Sequence, residues 1–345
     1  MPKIRILHIL GIDDSNRIEV LFWSPDLNRN IFNFAGNVHL LSLIQHPDFK
    51  VNQIRVGGMK GEPLKVPKAD LIFNAICDPD INRKSLHAVL NIVNTLKVPV
   101  INHPERIMLT GRDHIYQLFH NLEGVLVPKT IRVQPRYLSE VVKLVDTGEI
   151  GFPFLIREAG SHGGTKREFI KSIDLIHELD KFALDGRDYY VTEFVKFLSP
   201  DGLYRKYRVI VIGGKPYPRH LIISPFWNVH AENRNELMDK YPECRKEEET
   251  FLKEFGQKNS NIFERFYEVL KLDYFGVDFS LAPDGKMIVF EINSCFRAIA
   301  GKREAGVAEQ HEQPHYAPCI ENIKKAVEEL IIEKAGNVRY LSGNI

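Results

Sequence analysis

Phe275-Gly276-Val277-Asp278-Phe279-Ser280-Leu281, followed by Lys286-Met287-Ile288-Val289-Phe290-Glu291-Ile292-Asn293, is the pair of segments on which the reading turns. In the first, Phe275, Val277, Phe279 and Leu281 share one face and Asp278 takes the other. Pro283-Asp284-Gly285 between the segments is a turn signal, so the pair reads as a β-hairpin. In the return strand Glu291 and Asn293 are two apart and share a face. A loop of two or four residues puts Asp278 on that face, diagonal to Glu291 and about 7–8 Å from it at the backbone end. Two carboxylates aimed at one point repel unless a cation or a proton intervenes. Magnesium takes a few hard oxygen ligands from protein and leaves the rest to water and phosphate, and the Asn293 amide oxygen completes such a set. Asp278, Glu291 and Asn293 are therefore the expected magnesium ligands. An ordinary solvated polar face is the competing reading; the Glu-x-Asn ending before the non-helical Ser294-Cys295-Phe296 favours the metal.

Outward from the hairpin, Leu203–Ile212 and Lys215–Ile223 are apolar runs joined at Gly213-Gly214, and Tyr189–Phe197 precedes them across Asp201-Gly202. Both dipeptides are hairpin signals. Residues 228–271 are polar, mostly helical, and read as a solvated insert, and Ile320–Ala335 closes the chain as a helix. Toward the N-terminus, Ile4–Leu10, Asp70–Ile76 and Val98–Asn102 are strands, with a helix over Asn82–Lys97 whose Leu86, Val89, Leu90 and Val93 recur at helical spacing. Strand, helix, strand argues for a parallel sheet. A helix from Asn102 to about Asn121, a strand at Val127–Val133, a helix at Arg136–Thr147, strands at Phe154–Glu158 and Glu168–Lys171, and a helix at Asp174–Ala183 make a small α+β unit. Gly160-Ser161-His162-Gly163-Gly164-Thr165 is a glycine-rich loop within it, without Walker A spacing, and the N-terminal part lacks GxGxxG.

The bulk numbers fit this layout. A chain of 345 residues with 44% hydrophobic content is too long for one small core. A net charge of +1 gives no indication of a nucleic-acid partner. The first apolar run is short and broken by charge, unlike a signal peptide, and no apolar stretch is long enough for a bilayer. Cys77, Cys244, Cys295 and Cys319 are scattered, which suits free thiols in a reducing cytoplasm.

Four segments in order give a resemblance. Val100-Ile101-Asn102-His103-Pro104 with Thr110-Gly111-Arg112-Asp113 and Val127-Pro128-Lys129-Thr130 is similar to the opening of the nucleotide subdomain of the ATP-grasp superfamily, in its glutathione-synthetase-like form. Pro153–Gly160 with the glycine loop resembles that family's phosphate-covering strand and loop. Val191-Thr192-Glu193-Phe194-Val195 resembles its adenine hinge, and the hairpin resembles its metal strands. The resemblance implies an N-terminal parallel-sheet αβ domain over residues 1–105, then a two-part ATP-grasp fold: a small α+β nucleotide subdomain over 106–188 and an antiparallel-sheet subdomain with the hairpin over 189–335.

It also implies roles. Glu193, Phe194 and Val195 would face adenine, with Asp201 on the ribose. Gly160, Ser161, His162, Gly163 and Gly164 would cover the phosphates with backbone N–H groups. Arg112 and Arg157 stand where the family usually has lysine; arginine still neutralises phosphate, in a forked geometry. Lys206 and Arg208 alternate onto one strand face, and Arg208 matches the arginine that steadies the transferring phosphoryl group; a solvated charged face is the alternative. Arg297, with Lys302 and Arg303, follows the metal strand and is the second catalytic candidate, facing an anionic substrate or else plain solvent. The implied activity is an ATP- and magnesium-dependent ligase joining a small-molecule or peptide carboxylate to an amine, with ADP released. A nucleotide-binding protein without turnover and a direct phosphotransferase are the rivals. His311, His315 and Cys319 offer soft ligands, but Pro314 and Pro318 break any helical ligand face, so an exposed loop is preferred to zinc. Cys295 reads as a structural thiol, and Trp227 with His230 as a substrate lid or buried packing.

Overall fold

The computed structural model describes residues 3–24, 29–38, 43–44, 46–58, 65–161, 166–229, 237–238, 240–294 and 314–342. His162, Gly163, Gly164, His230, Cys295, Arg297, Lys302, Arg303 and His311 lie outside them.

The first unit runs through β1 (Ile4–Gly11), the hairpin β2 (Glu19–Ser24) and β3 (Arg29–Asn33), β4 (Phe49–Val56), β5 (Leu71–Asn74), α1 (Arg83–Leu96) and β6 (Val100–Ile101). Its main sheet has the order β4-β1-β5-β6 and is parallel throughout. Every residue of β5 is buried, as expected where helices and neighbouring units cover both faces of a parallel sheet. β4 is half polar and only its last residue, Val56, is buried, so no alternating apolar pattern marks it in the sequence.

The long helix expected from Asn102 is two: α2 (Pro104–Ile107) and α3 (Arg112–Phe119), parted where Gly111 takes an extended ψ of 147° as the N-cap. β7 (Val125–Leu126), β8 (Thr130–Val133), α4 (Leu138–Asp146), β9 (Phe154–Glu158) and β10 (Arg167–Ile170) follow. The segment Ile173–Lys181 is a 3-10 helix instead of an α-helix. β11 (Tyr189–Glu193) does not form a hairpin with the next strand. It sits inside the small antiparallel sheet β10-β9-β11-β8, and at the Asp201-Gly202 turn only the bridge between Leu198 and Tyr204 forms.

β12 (Tyr204–Ile212) and β13 (Lys215–Ser224) are the expected hairpin, turned at Gly213 and Gly214 with φ of 55° and 82°. After α5 (Pro242–Lys258) and α6 (Ser260–Leu270), β14 (Tyr274–Leu281) and β15 (Met287–Asn293) complete the large sheet, of order β13-β12-β14-β15-β7. α7 (Ala317–Ser342) is longer than expected. The helices α5 and α6 are no solvated insert. Phe251, Phe263, Phe266 and Leu270 are buried against Phe275, Val277 and Phe279, so each helix turns an apolar face to the core, and the charged Glu248 of α5 is buried as well. No helix among the described residues is long and apolar enough to cross a membrane.

Asn102 joins the first unit to the large sheet. Its side chain donates to the Tyr274 carbonyl at 2.7 Å and accepts from the Tyr274 N–H at 3.0 Å, while its own N–H reaches Asp273 Oδ2 at 3.1 Å. Its φ of 59° suits asparagine, which tolerates the left-handed region. Replacing Asn102 by Gly keeps that φ open but leaves two buried backbone groups of Tyr274 without the side chain. A loss of about 2–4 kcal/mol is expected, read as a lower midpoint in urea with an unchanged slope.

Candidate active site

A cleft of about 360 Å³ lies between the small and the large sheet. Its floor is a transverse row on the large sheet. Arg208 on β12 stands directly opposite His220 on β13 and Asp278 on β14, and Asp278 stands directly opposite Glu291 on β15. All four line the cleft.

The row depends on a bulge. Phe279 pairs with Val289, but Asp278 pairs with Glu291, so Phe290 is the extra residue. In the unbulged register Asp278 would face Phe290 and Glu291 would point to the opposite side of the sheet. The bulge lets Phe290 and Glu291, neighbours in the chain, both line the cleft. The diagonal placement of Asp278 and Glu291 expected from the turn is thus corrected to a direct cross-strand one. A second bulge, at Arg219 on β13, brings His220 opposite Arg208, while the Arg219 guanidinium lies 5.0 Å from the Tyr316 ring centroid.

The two carboxylates are compensated by arginine. Arg208 forks onto Asp278, with Nε to Oδ1 at 2.7 Å and Nη2 to Oδ2 at 2.8 Å, and Lys206 Nζ stands 3.8 Å from the same carboxylate. Arg112, from the first turn of α3, donates to Glu291 Oε1 at 2.7 Å and to the Phe290 carbonyl at 2.9 Å. Asn293 Nδ2 donates to Glu291 Oε1 at 2.7 Å. Asp278 is only 5% exposed at its side chain, which makes the forked pair a desolvated one whose geometry must be good to hold. As a donor set, two adjacent carboxylates and an amide match magnesium bound jointly with phosphate; they do not make a self-sufficient protein cage, and no group of three or more His, Cys, Asp or Glu among the described residues does.

The roof is a second transverse row. Arg132 on β8, Tyr190 on β11, Arg157 on β9 and Arg167 on β10 are directly opposed in turn across the small sheet. Arg157 and Arg167 line the cleft, and among the described residues neither is ion-paired. Arg157 donates to the Ser161 carbonyl; Arg167 donates to Asn228 Oδ1, with its guanidinium 5.2 Å from the Trp227 ring centroid. Burial, and then the nearby charge of Arg112, pushes Arg157 down to about 9, and the same two causes lower Arg167. Burial also lowers Lys206, against the pull of Asp278. On Arg208 burial acts downward too, but the Asp278 contact outweighs it and raises the group.

At the hinge, Glu193 and Phe194 donate their N–H groups to the carbonyls of Lys129 and Pro153 at 2.9 and 3.0 Å. Among the described residues, the Val195 N–H has no such backbone partner, and Val195 lines the cleft beside Phe194 and Trp227. Trp227 packs on Phe169 and Phe194 with centroids 4.9 and 5.5 Å apart, so it bridges the two sheets. Gly160 and Ser161 line a smaller hollow adjoining the cleft, together with Arg112, Arg157, Glu291 and Asn293. Asp201 does not belong to the cleft. Its carboxylate is forked by Arg205 at 3.0 and 2.7 Å, so the ribose role implied for it is withdrawn. His315 is bound to the fully buried Glu248 at 3.1 Å and Cys319 to the Tyr316 carbonyl at 3.0 Å, which are packing roles. Arg167, Phe290 and His220 were not singled out from sequence; for Arg167 the signal was its place at the start of the strand that follows the glycine loop.

No family model and no curated protein matches the chain. Solved structures do. The D-alanyl-alanine synthetase A from Vibrio cholerae O1 biovar eltor has a TM-score of 0.57 at 14% identity, over 97% of this chain and 99% of that one. The D-alanine–D-alanine ligase from Bacillus anthracis complexed with ATP has 0.52 at 16%, over 98% of each. The RimK domain protein ATP-grasp from Sphaerobacter thermophilus has 0.52 at 11%, over 95% and 99%. At such identities the likeness is one of fold.

The depressed arginines have a measurable consequence. Folding lowers the Arg157 pKa, so its charge disfavours the folded state in full below about 9 and the penalty is relieved as pH rises past that value. Arg157→Gln is expected to raise the melting temperature at pH 7.5, with the gain over the unsubstituted protein narrowing above about pH 9. Inorganic triphosphate should stabilise the unsubstituted protein more than the variant, as scanning calorimetry would show.

Proposed function

This chain has the ATP-grasp fold, and we propose that it is an ATP- and magnesium-dependent ligase that joins a carboxylate to an amine and releases ADP and phosphate. The observation that carries the reading is the pair of facing rows: on the roof, two arginines without carboxylate partners among the described residues, and on the floor, Arg208, Asp278 and Glu291. Among the described residues, five cationic side chains, Arg112, Arg157, Arg167, Lys206 and Arg208, line the cleft against the carboxylates of Asp278, Glu291 and Glu193, a surplus that suits a polyphosphate.

In this reading adenine sits against Val195, Phe194 and Trp227, with the Val195 N–H as donor. The phosphates run toward Arg157 and Arg112, and the backbone at Gly160 and Ser161 borders their far end. Asp278, Glu291 and Asn293 would hold magnesium, which would offset charge on the phosphate oxygens. The substrate carboxylate oxygen attacks the γ-phosphorus in line; the bond to the ADP oxygen breaks, giving an acyl phosphate. The amine nitrogen then attacks the acyl carbon, phosphate departs, and the nitrogen loses a proton. No protein nucleophile takes part. The chain positions the reactants and stabilises charge, with Arg208 turned toward the transferring phosphoryl group.

A second reading rests on a specific feature. Both carboxylates are already paired to arginine, Asp278 to Arg208 and Glu291 to Arg112, so metal binding must compete with two arginine contacts. A protein that binds nucleotide without turnover is consistent with that.

Incubation with magnesium-ATP and acid–amine mixtures should release ADP and phosphate together. Arg208→Ala is expected to lower kcat by about 10²–10³-fold, and Asp278→Asn with Glu291→Gln to abolish the magnesium dependence of ATP affinity. Tight binding without ADP release in any mixture would favour the second reading, and a product that retains the phosphate would indicate direct phosphoryl transfer.

A further inference from the structure

Arg132 opens the roof row but is not among the residues that line the cleft. Its guanidinium holds three carboxylates from three parts of the chain. Nη2 reaches Asp80 Oδ1 of the first unit at 2.7 Å, Nε reaches Asp113 Oδ2 of α3 at 3.2 Å, and Nη1 reaches Asp188 Oδ2, just before β11, at 3.2 Å. The Tyr190 hydroxyl donates to the Asp80 carboxylate, with its oxygens 2.9 and 2.8 Å away, and the guanidinium lies 4.7 Å from the Tyr190 ring centroid. On the side of Gly111 the knot has no spare room. A Cβ on Gly111 would lie 2.8 Å from Asp113 Oδ1, 2.9 Å from Arg132 Nη2 and 3.1 Å from the Tyr190 oxygen.

What the knot touches is informative. Asp113 directly follows Arg112, whose guanidinium binds Glu291 and the Phe290 carbonyl on the cleft floor. Tyr190 stands between Arg132 and Arg157 in the roof row. Close by, Gly160 approaches Ile81 of the first unit so tightly that a Cβ there would lie 2.2 Å from Ile81 Cγ2. The small sheet is thus docked on the first unit at the end of the cleft where Arg112 and Arg157 converge, and Arg132 is the group common to all three carboxylates. A planar fork with five donors meets that demand; a single ammonium does not.

We propose that Arg132 is the positioning residue of the cleft: by tying Asp80, Asp113 and Asp188 to one guanidinium it docks the small sheet on the first unit and sets the aim of Arg112 and Arg157 at a bound polyphosphate. This rests on the reading of the cleft as a polyphosphate site, but not on turnover. A salt-bridge knot that served stability alone would leave ligand affinity unchanged once stability is matched.

The test is calorimetric titration of magnesium and inorganic triphosphate into the full chain and three variants. Arg132→Lys keeps the charge and loses the fork. Gly111→Ala crowds the knot at a backbone φ of −57° that alanine adopts freely. Asn102→Gly lowers stability at a joint that does not line the cleft. The first two are expected to weaken triphosphate binding on the order of tenfold or more, as small misplacements do, while Asn102→Gly stays within about twofold. Unweakened binding by Arg132→Lys overturns the proposal, as does equal weakening in all three variants. Absence of triphosphate binding by the unsubstituted protein overturns both this proposal and the polyphosphate reading. The expected triphosphate pattern without ADP release in any acid–amine mixture removes the ligase reading alone.

Discussion

The cross-strand contact of Asp278 with Glu291 on one side and Arg208 on the other is the constraint around which the site is arranged. Two carboxylates on adjacent strands, one of them nearly buried, are unstable neighbours unless each is matched. The chain matches them from outside the hairpin. Arg208 comes from the neighbouring strand, and Arg112 comes from the start of a helix that belongs to an earlier part of the sequence. The bulge at Phe290 is what makes the pair neighbours at all, since a single-residue change of register exchanges the faces of a strand.

The roof differs from the floor in its charge balance. Arg132 carries more carboxylate than it needs, while Arg157 and Arg167, next along the same row, have none within ion-pair distance among the described residues. Like charges held close in a half-buried row raise the energy of the ligand-free protein, and an anion between roof and floor relieves it. Arginine in place of lysine sharpens this, because a guanidinium keeps its charge under burial more firmly than an ammonium.

Much of the fold was legible. The alternation of Phe275, Val277 and Phe279, the Gly213-Gly214 turn and the apolar run at Leu71 each carry a local signal strong enough to survive into the structure. The errors share a cause. The helices α5 and α6 looked solvated because their charged residues outnumber the four large apolar ones that are buried in the core. β11 looked like a partner of β12 because an Asp-Gly turn follows it, yet its hydrogen bonds go to β8 and β9. Asp201 looked available, and Arg205, four residues on, holds it. For the helices and for β11 the deciding partner is distant in sequence or hidden by composition; for Asp201 it is close in sequence, but the pairing depends on the bend of the chain between the two residues.

What the sequence determined by itself is the set of chemical groups and the faces they take along each strand: Asp278 opposite to its apolar neighbours, Glu291 with Asn293, Lys206 with Arg208. Those follow from a backbone period of two, which is local. Only the tertiary structure decided which faces meet. Direct opposition of Asp278 and Glu291 required an extra residue in one strand, and the roof row required four successive strands to pair out of chain order, as β10-β9-β11-β8, to align Arg132, Tyr190, Arg157 and Arg167. Register between strands is set by side-chain packing and hydrogen bonding over long sequence separations, so no local period contains it.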